Sequence, residues 1–129
     1  MEVRVALDTN RLTDIFRGDQ SLARTLEAAE EVWLPLIVLG EILAGFHGGN
    51  QRPRNEAVLR RFLAEPNVGV LAPGRETCEY YAQLFVQLRK AGSPVPDNDI
   101  WIAALCLEHD LTLITRDAHF TRIPQLSLK

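Results

Sequence analysis

Cysteine is nearly absent. Cys78 and Cys106 are the only two in 129 residues, and they lie far apart with no ligand-like spacing. A disulfide framework and a zinc ribbon are therefore excluded, and a reducing, cytoplasmic setting is expected. Long apolar runs are also missing. The longest uncharged one, Val32 to Gly40, is interrupted by Pro35 and is too short to cross a bilayer, so no membrane association is expected. No cationic segment followed by an apolar stretch opens the chain, so no secretory signal is expected. An excess of positive charge is lacking too. Fourteen cations against 17 acids leave a net charge of −3, which excludes a surface that grips nucleic acid everywhere but not a local basic patch. Lysine is rare, and 12 of the 14 cations are arginine.

What is present is an ordinary globular composition, 47% hydrophobic and 24% charged, with no repeat and no linker. A single domain spanning 1–129 is expected. Short apolar runs at Val3–Leu7, Val32–Leu34, Val68–Leu71, Leu111–Thr115 and Leu126–Leu128 read as strands. Between them lie helical stretches. Ser21 is expected to cap Leu22–Glu31, and Leu36–Phe46 is mostly apolar and ends at Gly48 and Gly49. A helix starting near Asn55 carries Val58, Leu59, Phe62 and Leu63. The longest helix, Glu76–Lys90, is expected to bury Cys78, Tyr81, Ala82, Phe85 and Leu88. Another opens at Asn98 or Asp99 and turns Ile100, Ala103, Ala104 and Leu107 inward. Alternation of strands and helices implies an α/β fold with a mainly parallel sheet covered on both faces.

Several acids resist a bland explanation. Asp8 follows an apolar strand directly, and Asp117 repeats that arrangement after Thr115 and Arg116. In open α/β sheets, ligands bind at the carboxyl ends of strands. Glu41 lies in a stretch that is apolar nearly all round, so it is expected to be buried with an arginine partner, a metal or a raised pKa. Asp97 and Asp99 flank Asn98 at a helix start, one more carboxylate than a cap requires. No histidine or cysteine has matching placement. Four carboxylates brought together repel one another unless a cation neutralises them, and an all-oxygen site suits magnesium or manganese. Such a site points to metal-assisted chemistry at a phosphate ester.

Four segments now converge: Leu7-Asp8-Thr9-Asn10, Gly40-Glu41-Ile42, Asn98 to Ala104, and Thr115-Arg116-Asp117. In order and spacing the chain resembles a PIN-domain ribonuclease, and more closely the VapC-type toxin of prokaryotic toxin–antitoxin modules. The resemblance covers nearly the whole chain. It implies a three-layer α/β/α sandwich with a mainly parallel sheet of about five strands. It places Asp8, Glu41, Asp99 and Asp117 in the family's four acidic positions, with Asp8 and Asp99 the main direct ligands of magnesium or manganese. Glu41 and Asp117 would complete the site directly or through water, and Thr9, Asn10 and Thr115 would orient ligands or water. Asp97 is outside the family's fixed positions, and its role stays open between N-cap, outer-shell acid and solvated loop.

The implied reaction is hydrolysis of an RNA phosphodiester by a water that the cation has made more acidic. Arg11, Arg52, Arg54 and Arg116, together with Arg17, Arg60 and Arg61, are candidates for guiding the RNA phosphates. The resemblance also implies homodimers and inhibition by a small antitoxin. Other classes fit less well. A phosphatase with an aspartyl nucleophile wants a second acid two residues after Asp8, where Asn10 stands. A phospho-receiver module needs a lysine after its last strand, and the lysines are Lys90 and Lys129. An inactive PIN fold that binds RNA or protein is the non-enzymatic alternative.

Overall fold

Strand Arg4–Leu7 (β1) has Val5, Ala6 and Leu7 wholly buried. Unbroken burial without alternation is what a strand covered on both faces requires, and it places β1 at the centre of a sheet. In the computed structural model, which describes residues 3–129, that sheet has five strands in the order β3-β2-β1-β4-β5, all parallel. The other strands are Glu31–Pro35 (β2), Val68–Leu71 (β3), Thr112–Ile114 (β4) and Ser127–Leu128 (β5). Helices Thr9–Phe16 (α1), Gln20–Ala28 (α2), Leu36–Gly48 (α3), Arg52–Leu63 (α4), Arg75–Ala91 (α5) and Asp97–His109 (α6) flank it, and a 3₁₀ turn spans Ala118–Arg122. The result is the expected α/β/α sandwich.

Two apolar clusters hold the layers. The larger joins β1, β2 and β4 to Leu12, Leu22, Leu26, Val38, Ile42, Phe46 and Leu59 of α1–α4. The smaller joins Leu84 and Leu88 of α5 to Ile100, Ala103 and Ala104 of α6, with Ile123. In α6, Ile102 and Cys106 belong to the larger cluster, so this helix is buried on opposite sides and fixes the position of its own N-terminus.

Several expectations are corrected. Helix α1 follows β1 at once, capped by the Asp8 side chain, where no helix was expected. Asp19 caps α2 in place of Ser21, because its carboxylate accepts the Leu22 N–H. Helix α4 starts at Arg52, three residues before Asn55, with proline in its first turn, where a missing N–H does no harm. Leu107 of α6 is half-buried. On α5 the buried residues are Thr77, Leu84 and Leu88, while Cys78, Ala82 and Phe85 are exposed and Tyr81 is half-buried. Apolar residues cover more than half of this helix's circumference. Periodicity alone does not choose the arc, and packing against α6 does.

Parallel pairing of β2 with β3 sets Trp33 opposite Gly69. A Cβ on Gly69 would lie 2.7 Å from the Trp33 ring. The indole N–H donates to Glu31 Oε1 at 2.7 Å, which limits how far the ring can retreat. Gly69→Ala should therefore destabilise the protein by about 1–3 kcal/mol through overpacking. Urea denaturation measures this, and an unchanged midpoint would show that the ring yields freely.

Candidate active site

Strands β1 and β4 are parallel neighbours with Leu7 in register with Ile114. Their carboxyl ends therefore deliver Asp8 and Thr115 side by side. The two carboxylate oxygens of Asp8 are separately held. Oδ1 accepts the Arg11 N–H at 2.9 Å as the cap of α1, and Oδ2 accepts the Thr115 hydroxyl in a short hydrogen bond. Thr115 Oγ1 in turn accepts the Asp117 N–H at 3.0 Å. Asp117 Oδ1 accepts the His119 N–H at 2.9 Å and caps the 3₁₀ turn. A chain of local hydrogen bonds thus fixes three successive groups at the sheet edge.

Helix α6 brings Asp99 to the same place from its first turn. Ligand atoms of Asp99, Asp117 and His119 all lie within 4.8 Å of one another. Asp8 and Glu41 are outside that triplet. Asp8 is set deeper, at 5% exposure, and Glu41 lines the same pocket as Asp97, Asn98, Asp99, Asp117 and His119. Burial and the neighbouring Asp117 push Asp8 above the ordinary carboxylate range, against the two hydrogen bonds that lower it. Asp99 is raised by burial, by Asp117 and by Glu41, against a lowering contribution from His119. Asp8, Glu41, Asp99 and Asp117 therefore share one electrostatic neighbourhood.

Two expectations need correction here. Glu41 is exposed, because α3 buries only Val38, Ile42 and Phe46 and turns its other side to an open groove. Its partner is no arginine. Glu41 Oε1 accepts the Thr9 hydroxyl at 2.8 Å. The second correction is His119, a histidine that does share the site. Its buried Nδ1 lies 3.1 Å from Asp117 Oδ1 and 3.3 Å from Asp99 Oδ2 but has no aligned hydrogen bond among the described residues. The signal for it was the Asp117-Ala118-His119 spacing in a non-periodic turn, which helical or strand patterns do not detect.

The remaining candidates are also placed. Asn10 is exposed, and Thr9 and Thr115 orient Glu41 and Asp8. Asp97 is the first residue of α6 and accepts the Tyr81 hydroxyl at 2.6 Å. Tyr81 is sandwiched between Trp101 and Phe85, with ring centroids at 4.1 and 6.0 Å. Arg11 and Arg116 both pair with Asp14, the latter through two nitrogens at 3.0 Å, and hold the Asp14 carboxyl below its ordinary value. Arg52 pairs with Glu56. Among the described residues, Arg54 makes no ion pair.

Asp99, Asp117 and the His119 ring nitrogen form a compact donor set of carboxylate oxygens and one imidazole. The set fits a divalent cation. In its absence, ionising Asp99 works against the fold. A carboxyl whose folded pKa is raised binds its proton more tightly when folded, so its contribution to stability falls as pH rises from the unfolded value through the folded one. Asp99→Asn in EDTA should therefore melt at a temperature that rises relative to wild type as pH increases above about 4. Parallel thermal scans from pH 4 to 8 test this, and a constant difference across that range would contradict the shift.

Comparison with known proteins agrees with this geometry. Residues 5–126 match the PIN domain family. The chain is 30% identical over 125 residues to Ribonuclease VapC1 of Haemophilus influenzae, covering 93% of this chain and 92% of the relative. Its fold matches the crystal structure of VapBC2 from Rickettsia felis, bound to a DNA fragment from their promoter, with TM-score 0.88 and 26% identity over 97% of this chain and 96% of that one. VapBC-1 from nontypeable Haemophilus influenzae gives TM-score 0.85 and 25% identity over 97% and 96%. On the match of residues 5–126 and the near-full-length likeness to a VapC ribonuclease, the chain belongs to the PIN-domain family, among its VapC-type members.

Proposed function

We propose that this protein is a toxin-type endoribonuclease that hydrolyses RNA phosphodiesters with magnesium or manganese and is silenced by a cognate antitoxin. The observation that carries this proposal is the approach of Asp99, Asp117 and His119 to within 4.8 Å, with Glu41 lining the same pocket and Asp8 linked to Asp117 through Thr115, in a chain matching a curated ribonuclease along nearly its whole length. Asp8, Asp99 and Asp117 would hold the cation, with Glu41 acting directly or through water. When bound, a divalent ion acidifies water and neutralises charge on the phosphate.

The chain's own groups do the rest. Thr115 and the Arg11 amide hold both oxygens of Asp8, so this carboxylate needs no rearrangement to act as a ligand. Thr9 fixes one oxygen of Glu41, leaving the other to orient a water on the exposed side. His119 Nδ1, unpartnered among the described residues, lies against Asp99 and Asp117 and would be a further ligand for the ion. The antitoxin partner follows from the toxin reading, and an arginine from it would find a ready counter-charge in this acidic pocket. A homodimer belongs to the same proposal. Phe85 and Val86 of α5, 41% and 48% exposed, give it an apolar surface. No helix among the described residues is long and apolar enough to cross a membrane, and the proposed place of action is the cytoplasm.

Purified protein freed of antitoxin should cleave RNA in magnesium or manganese and stop in EDTA. Asp8→Asn and Asp99→Asn should each lower the rate by roughly a hundredfold or more with the circular dichroism spectrum unchanged. Full activity in EDTA or in either variant would overturn the mechanism, and binding without turnover would favour the inactive module. Magnesium should also raise the melting temperature of wild type, by the equivalent of about 2.7 kcal/mol at a hundred times its dissociation constant. That increase should shrink in Asp99→Asn, and an equal increase in both proteins would place the ion elsewhere.

A further inference from the structure

A groove of about 540 Å³ runs away from the acidic site between α1, α3 and α4. One end is formed by Thr9 and Glu41, the hydrogen-bonded pair at the edge of the site. Farther along it are Thr13, Phe16 and Arg17 of α1, Gly45 and Phe46 of α3, and Arg54 of α4. Thr9, Thr13, Phe16 and Arg17 follow helical spacing, so one face of α1 forms a wall. Eight residues of helix set Arg17 about 12 Å from Thr9.

Arg17 and Arg54 differ from the arginines nearer the acids. Arg11, Arg52 and Arg116 are each paired with a carboxylate. Among the described residues, Arg17 and Arg54 form no ion pair and donate no side-chain hydrogen bond, although both line one groove that leads to an anionic site. Gly45 of α3 lines the same groove with open space around it, so a bulky side chain placed there would enter the groove.

We infer that this groove is the binding track for single-stranded RNA on one side of the scissile bond, with Arg17 and Arg54 holding backbone phosphates. The inference rests on the ribonuclease proposal and adds the path of the substrate. Guanidinium forks match phosphate oxygens, and a strand seated at Thr9 and following α1 reaches Arg17 about 12 Å farther on. Phe16, half-buried and tilted against Phe46 at 5.6 Å, offers a base an aromatic surface in the same groove.

The test uses fluorescence anisotropy of a labelled ten-nucleotide single-stranded RNA on full-length Asp8→Asn protein with magnesium present, so that binding is read without cleavage. Adding Arg17→Ala and Arg54→Ala together should weaken binding about tenfold or more. It should also reduce the slope of log affinity against log salt by about 1.4, the loss of two single-strand phosphate contacts. Arg17→Lys with Arg54→Lys should recover most of that slope, and Arg75→Ala on α5 should change neither quantity. Gly45→Trp approaches the groove from its opposite wall and should weaken binding by blocking it, with melting temperature maintained. Cleavage by otherwise wild-type protein separates the two claims. If the arginine variants raise KM on the ten-nucleotide RNA but leave a dinucleotide substrate unaffected, the track is supported. If wild type cleaves nothing yet binding still depends on Arg17 and Arg54, the track stands and the ribonuclease proposal fails. Unchanged affinity in both the arginine and Gly45 variants overturns the track. So does tighter arginine-dependent binding of a labelled decaglutamate peptide than of the RNA, which would assign the groove to an acidic protein segment.

Discussion

The site depends on carboxylates held close together by local donors: the Thr115 hydroxyl and the Arg11 amide on Asp8, and the His119 amide on Asp117. Two like charges about 4 Å apart at an effective dielectric constant near 20 repel by about 4 kcal/mol. That is a large fraction of the 5–15 kcal/mol that stabilises an ordinary domain. Asp8 remains in place because its oxygens accept the Thr115 hydroxyl and the Arg11 amide, and because the strand before it is fully buried. Those hydrogen bonds do not cancel the cost of the site: burial first, and the neighbouring carboxylates after it, still push Asp8 and Asp99 upward. A structure that carries this burden at one edge has a built-in affinity for a cation there.

Arginine placement strengthens that affinity. Arg11 and Arg116 flank the two strand-end acids in sequence and would be natural counter-charges for them. Instead both pair directly with Asp14 and reach Asp8 only through longer-range attraction. The same clasp ties α1 to the segment following β4, so the charges that could have quenched the site brace it. Net charge of −3 is consistent with a nucleic-acid substrate on this arrangement, because the acids concentrate at the sheet edge while Arg17 and Arg54 remain available along the groove.

The sheet and the acids were legible from the amino-acid sequence for a physical reason. Strands covered on both faces appear as short apolar runs, and acids directly after them mark the carboxyl edge of a parallel sheet. Helix α1 was not legible, since Thr9, Asn10 and Thr13 are modest helix formers and only Leu12 of that helix is fully buried. Its existence depends on Asp8 acting as a cap, a contact visible only once Asp8 is placed. His119 escaped notice because a 3₁₀ turn has no hydrophobic period. Glu41 was misjudged for the opposite reason. An apolar surround predicts burial only if something packs on every side, and α3 faces an open groove where Glu41 and Gly45 lie.

That open side links stability to function. Helix α6 is gripped by apolar clusters on two sides, and β1 is sealed by its neighbours, so Asp8 and Asp99 are carried by the most constrained parts of the molecule. Glu41 is carried by a helix with exposed glycines and a single buried stripe, open to solvent on its other side. A phosphodiester site needs both kinds of support. The acids that would hold the ion must stay fixed within a fraction of an ångström, whereas the wall along which a polymer enters must admit it. Rigid strand ends on one side and a glycine-opened helix on the other meet both requirements in a single small domain.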